Sequence, residues 1–415
     1  MANTLKFGNG EWYGKKDTIL AYNDLNSNYK PLPFNFSRDS SRTVVNKDGL
    51  IEEVGSGQPR IDYLNNTKGA LKLEPSRTNI VEYSEDGTQW DAINTTVSLT
   101  TDSTSPSGQS SVYKVNDNAN DNQHRVDVRP SVTSGTEYTF SVFVKKPSDS
   151  DIDFVYLIFT NKFSITRFYF NIAEGTSLDS GGTIESYGNG WYRLSASATA
   201  NSSGNGFFGV NLTNANNNTT YSGTGNGSMF VWGLQVESNA SYPTSYIPTS
   251  GGSPVTRVAD VCTGAGNEQV FNDSQGVLYV EVKGFKETPS DSGYITISST
   301  SVSFTNAVVL QFRSNGDLRF YFGGSASANI QFIDSSIDFT DNNKIAIQYD
   351  SNGSNYKMFV NGVSISRYSL ATNQSVNGLS ELNLNYSNLG FLGNVKDVRV
   401  YNTALTDQEL KRLTQ

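Results

Sequence analysis

The chain has 415 residues, more than one hydrophobic core ordinarily supports, so two or three domains are expected. Its 37 Gly, 22 Tyr and 23 Phe lie among Ser/Thr/Asn tracts and short alternating runs, the composition of β-sandwiches rather than of helical bundles or Rossmann sheets. A formal net charge of −9 with no dense Lys/Arg run argues against a nucleic-acid partner, and a single Cys (Cys262) and a single His (His124) exclude an intrachain disulfide, a Cys/His zinc site and a two-His metal site.

The opening MANTLKFGNGEW has no apolar stretch of the export-signal kind, and no apolar run anywhere is long enough to span a bilayer. The expectation is a chain made in the cytoplasm, with no membrane insertion. Residues 1–58 carry isolated aromatics between turn residues, with too little periodicity for a closed core. This predicts an N-terminal arm whose aromatics pack on the following sandwich or on a partner protein. Trp12, Tyr13, Phe34 and Phe36 are the candidate attachment residues.

Residues 59–250 read as a first sandwich. In Thr136–Lys145, Tyr138, Phe140, Val142 and Val144 alternate with Thr139, Ser141, Phe143 and Lys145. Leu157 and Phe159 belong to one further run, Phe168 and Phe170 to the next, and Gly188-Asn189-Gly190 supplies a turn before Trp191. In MFVWGLQV, Phe230, Trp232, Leu234 and Val236 are expected on one side and Met229, Val231 and Gly233 on the other, all apolar, as in a central strand covered on both faces.

Three features of this stretch bear on chemistry. Asp149, Asp151 and Asp153 recur at every second residue, the opening spacing of a calcium loop, but Phe154 stands where such a loop needs Gly and no bidentate Glu follows. The alternative is a solvated start of a strand, so the only cofactor reading is calcium at these three residues, or none. The cluster Asp117–Asp121 has Ala119 in a ligand position. His124 lies in a polar run without a nucleophile elbow nearby and reads as an exposed strand-edge residue rather than a catalytic base.

Pro243, Pro248, Pro254 and Gly251-Gly252 place a domain boundary near 240–260, with 251–264 as linker. Residues 265–415 then form a second sandwich of short alternating strands, with hairpin turns at 314–317, 351–354 and Asn361-Gly362. At the end, Thr406 and Glu409 have the spacing of a capping box, and Leu405 and Leu410 flank it as a staple, so a short helix closes the chain. Glu281 stands alone, and the strands around 308–322 and 345–360 carry no paired acids, which leaves no local carboxylate pair for glycoside hydrolysis.

Five segments in order, PRIDYLNNTKGALKLEPSRTNIVEYSED, TSPSGQSSVYKV, SGTEYTFSVFVKKPS, YGNGWYRLSASA and MFVWGLQVESNASYPTSYIPTSGGSPVTRVADV, resemble a module of tailed-bacteriophage structural proteins over roughly residues 30–261. That module is similar to a carbohydrate-binding-module jelly roll. YKMFVNGV and the closing GFLGNVKDVRVYNTALTDQELKRLTQ resemble the concanavalin A-like or laminin G-like family over residues 265–415. The resemblances imply an all-β chain of two antiparallel β-sandwiches, jelly roll then concanavalin A-like, with an N-terminal arm and a short C-terminal helix. They imply a non-enzymatic virion structural protein, on a tail fibre or as head or tail surface decoration, that mediates host adhesion. Its partners would be other virion proteins and host surface glycans, with a homo-oligomer left open. The competing reading is a glycan depolymerase on the virion.

Overall fold

In the computed structural model the described residues are 2–23, 28–285, 293–299, 306–313, 315–323, 330–352, 355–367, 374–386 and 389–415. Nearly all regular structure is β, in antiparallel sheets, with one short α-helix at the end. The chain divides into two compact units, and both are discontinuous: a terminal unit of Met1–Ser41, Val54–Pro75 and Val258–Gln415, and a central unit of Arg42–Glu53 and Ser76–Arg257. The sequence predicts contiguous domains at 59–250 and 265–415. Instead residues 54–75 belong with the C-terminal half, and residues 42–53 with the central one.

The terminal unit packs a 12-stranded sheet on a 7-stranded one. The first runs through Val261–Thr263, Asn28–Ser37, Thr18–Asn23, Leu5–Gly8, Gly393–Tyr401, Gln275–Gly284, Asn343–Asp350 and Lys357–Val360. Leu5 stands opposite Val400 and Phe7 opposite Val398, so the segment read as an arm supplies inner strands of this sheet. Phe34 and Phe36 lie in the core, and the Phe7 and Phe34 rings are 4.4 Å apart. These aromatics do close a core, but with strands from the far end of the chain, which no local periodicity reveals. Nor is 251–264 a free linker: Val255–Arg257 pairs with Arg77–Asn79, and Val261–Thr263 with the strand carrying Phe36.

Four fully buried charged side chains of this unit form one network. Arg38 Nη1 donates to Asp260 Oδ1 at 3.0 Å, Arg60 Nη1 donates to Glu74 Oε2 at 2.7 Å, and Arg60 Nη2 pairs with Asp260. The backbone amide of Glu74 donates to Asp260 Oδ2 at 2.9 Å, a third donor on that carboxylate.

The C-terminal helix is Asp407–Thr414, and both halves of the capping box are present: Thr406 Oγ1 accepts from the Glu409 amide, and Glu409 accepts from the Thr406 amide. Leu405 and Leu410 pack on Val277, Tyr279, Ala346, Phe359 and Tyr401, the outer face of the large sheet. Asn361 and Gly362 both have positive φ, 50° and 81°, as the two-residue hairpin turn requires. Of the other expected turns, Ser314, Gly353 and Ser354 lie outside the described residues.

The central unit has a six-stranded and an eight-stranded sheet around one core. In the latter, Ser228–Ser238 lies between Val112–Asp117 and Glu137–Lys145 and is buried through Glu237, as its apolar run predicts. The expected facing of its side chains holds for only half of it. At Gly233, with φ at +67°, the register with Ser141/Phe143 shifts by a bulge, so Met229, Val231, Leu234 and Val236 enter the core while Trp232 faces out onto Phe143 and Tyr246. Residues 241–249 cover that outer face. Glu237 accepts from the amide of Thr244 at 3.0 Å and from Gln235 at 2.8 Å, and Tyr246 Oη donates to Ser84 at 2.7 Å. No helix among the described residues is long and apolar enough to cross a membrane.

Candidate functional site

The six-stranded sheet runs Asp91–Ile93, His124–Val128, Phe207–Thr213, Phe154–Thr160, Thr166–Asn171, Thr176–Ser177. At its first edge a cleft of about 460 Å³ opens, lined by residues that include Tyr83, Gln89, Trp90, Asp91, Asp127 and Arg129. One wall comes from the turn Gly87–Gln89, whose cap Asp86 accepts from the Thr88 amide at 3.0 Å. That turn delivers Trp90, whose Nε1 donates to the Tyr83 carbonyl at 2.9 Å and so fixes the indole beside Tyr83.

The rest of the lining includes an ionic group. Asp91 and Asp127 stand directly across from each other on adjacent strands. Arg129 Nε donates to Asp127 Oδ1 at 2.8 Å and lies 3.4 Å from Asp91, while Arg125 Nε is 3.3 Å from Asp127 Oδ2. Burial pushes the Asp127 carboxyl up, against the pull of Arg129 and Arg125. Both guanidinium groups stack on the Phe207 ring, at 5.2 and 5.4 Å from its centre. Trp90 itself belongs to the core and shows only an edge to the cleft, so the lining combines limited aromatic surface with fixed donors and acceptors, which suits a ligand with apolar faces and many hydroxyls.

The residues singled out from the sequence lie elsewhere. Asp149 pairs with Lys114 at 3.0 Å, Asp151 accepts from Thr224 Oγ1 at 3.0 Å, and Asp153 pairs with Lys146. Their spacing does put them outward while Ser150 and Ile152 are buried, but each carboxylate takes its own partner, and among the described residues no group of three or more His, Cys, Asp or Glu side chains could hold a metal. Asp117, from the other acidic cluster, anchors a loop by accepting from the amides of Gly225 at 2.9 Å and Gly227 at 3.1 Å. His124 is fully buried rather than exposed, with its ring nitrogens 2.7 and 3.1 Å from the carbonyls of Asn94 and Tyr221. Of the candidate attachment residues, Phe34 and Phe36 are core, Trp12 is half-buried against that core, and Tyr13 is 49% exposed.

Glu281 does not stand alone. Asp397 is its cross-strand neighbour, held by Arg399 at 2.6 Å. Neither this pair nor Asp91/Asp127 was legible in the sequence, because the partners are 116 and 36 positions apart (397 − 281 and 127 − 91) and only strand pairing joins them. The one local signal was the aromatic-acidic string TQWDAI ahead of a polar strand.

Residues 285–411 match the family described as the concanavalin A-like lectin/glucanases superfamily. The concanavalin A-like segment thus lies in the terminal unit and spans less than half of the chain. No curated protein sequence matches the chain. Among solved structures, the chain is similar to a Ruminococcus gnavus IT-sialidase CBM40 bound to α2,3-sialyllactose, at 17% identity and a TM-score of 0.30 over 37% of this chain and 94% of that one. A putative carbohydrate binding protein from Bacteroides ovatus aligns at 15% identity and a TM-score of 0.27, covering 71% and 80%. A tail fibre protein of an E. coli phage aligns at 9% identity and a TM-score of 0.23, covering 78% and 41%.

Proposed function

We propose that this chain is a non-enzymatic structural protein of a tailed-phage virion, displayed on a fibre or on the head or tail surface, and that its central unit adheres to host surface glycans. The observation that carries the adhesion reading is the cleft at the edge of the six-stranded sheet, whose lining combines Tyr83 and the edge of the core residue Trp90 with the Asp91–Arg129–Asp127 array around a space of sugar size. The virion reading is supported by the five segments between residues 30 and 261 that resemble the phage structural module. Host-cell polysaccharide should retain the protein without release of new reducing ends. Arg129→Lys keeps a charge beside Asp127 but loses the planar fork, and should weaken retention at least about 10-fold with little change in melting. Antibodies against the chain should label purified particles; particles free of the chain would remove the virion assignment.

A second reading rests on the same cleft. Two carboxylates directly opposite on neighbouring strands, both within reach of Arg129 Nε, are placed as neighbours of the kind a retaining glycosidase needs, where the two carboxyls stand about 5 Å apart. On that reading Asp91 is the accessible partner, polysaccharide is depolymerised with sustained turnover, and Asp91→Asn abolishes it. Binding without turnover supports the adhesin.

A further inference from the structure

The outer face of the six-stranded sheet continues from the cleft toward Asn211, which is the cross-strand neighbour of Arg125 on one side and Tyr156 on the other. Asn211 is fully buried, yet both its amide nitrogen and its amide oxygen lack a hydrogen-bond partner. An unpaired donor and an unpaired acceptor on one buried side chain are each costly, and native proteins keep such a group for a reason. Beside it, Tyr156 and Tyr169 pack with ring centres 4.9 Å apart, forming with Ile158 and Phe207 an apolar cluster separate from the core. Arg167 is half-buried and hydrogen-bonds the Tyr156 phenol, while its Nε is unpartnered and no carboxylate among the described residues pairs with it, unlike Arg125 and Arg129. Residues 214–220 follow the Asn211 strand and touch this cluster through Thr219, whose carbonyl accepts from Tyr156 Oη at a long 3.4 Å.

We propose, building on the glycan-adhesion reading, that Asn211 and Arg167 form a subsite for a carboxylate-bearing sugar residue, so that the preferred glycan is acidic. A sugar acid offers both things the site lacks. Its hydroxyl donates to Asn211 Oδ1, and its carboxylate accepts from Asn211 Nδ2 and from the Arg167 guanidinium. Residues 214–220 lift to admit it, giving up the weak Thr219 contact. A neutral hydroxyl-only sugar would give Arg167 no carboxylate to pair with, and so no gain beyond its existing hydrogen bond to Tyr156.

The full chain is applied to an array of acidic and neutral bacterial oligosaccharides, and each bound glycan is remeasured by calorimetry against its carboxyl-reduced form. The expected result is binding of uronate-type or other acidic glycans, a loss of at least about 10-fold on carboxyl reduction, and a similar loss in Arg167→Gln. Asn211→Leu provides the readout that a structural role would not give. It removes an unsatisfied amide at nearly constant volume, so it should melt at the same or a higher temperature than the native chain while losing the acidic glycan. Glycan binding that is indifferent to carboxyl reduction, or that survives in Asn211→Leu, overturns the subsite and leaves the adhesion reading standing. If no glycan binds at all, both fall.

Discussion

Glu237 shows how a single buried group can set the pH response of a unit. It is fully buried beneath residues 241–249, and burial raises its carboxyl above the usual range despite hydrogen bonds from Thr244 and Gln235 and the nearby Arg193. A carboxyl whose folded value lies above its unfolded value, about 4.3, holds its proton more tightly in the native state. The central unit therefore loses stability as pH rises from that unfolded value through the raised one, and the loss is complete above it. Glu237→Gln should remove this slope. Its Oε1 can accept from the Thr244 amide, and its Nε2–H can donate to the Thr244 hydroxyl. The difference in melting temperature between native and variant chains should shift in favour of the variant as pH rises above the unfolded carboxyl value of about 4.3; parallel curves would mean that Glu237 titrates no differently in the two states. Nothing in the sequence marks Glu237, because the alternation of Ser228–Ser238 passes through a bulge before reaching it.

At the scale of elements, the C-terminal helix was legible down to single residues and the strand facing Phe143 was not. A capping box is written in four consecutive positions, Thr406 to Glu409, and the staple in the residues beside it, so local sequence suffices. The bulge at Gly233 depends instead on how Phe143 and Tyr246 approach that backbone, since a Cβ there would sit 3.0 Å from each. The helix makes a graded prediction. Leu410 is fully buried in the cluster with Tyr279 and Phe359, so Leu410→Ala should destabilise the terminal unit by about 2–4 kcal/mol. Thr406→Ala removes a cap at an exposed turn and should cost about 1 kcal/mol. Chemical denaturation that ranks Thr406→Ala as the more severe change would mean that the helix is held by its cap rather than by its contact with the sheet.

The order in which the whole chain is used was the least legible feature, because strand periodicity records that a segment is a strand and says nothing of its partner. Leu5–Gly8 pairs with Gly393–Tyr401, and Arg38 and Arg60 both meet Asp260, so the terminal unit is built from both ends of the chain. Two consequences differ from those of a string of independent domains. Removing residues 1–58 strips the strands Leu5–Gly8, Thr18–Asn23 and Asn28–Ser37, and with them Phe7, Phe34 and Phe36, from the terminal unit and its core. The deleted chain should lose the cooperative unfolding transition of that unit, rather than merely losing an attachment segment. Limited proteolysis should cut at the exposed Gly252-Ser253-Pro254 segment, between the covered residues 241–249 and the strand Val255–Arg257. The two fragments should not part on native gel filtration. One carries Leu5–Gly8 and Arg60, the other Gly393–Tyr401 and Asp260, and breaking a buried ion pair by removing one partner costs about 3–5 kcal/mol. They should separate only in denaturant, and Asp260→Ala should let them separate at lower denaturant than the native pair. Fragments that elute apart under native conditions would show that the two chain ends do not share a sheet.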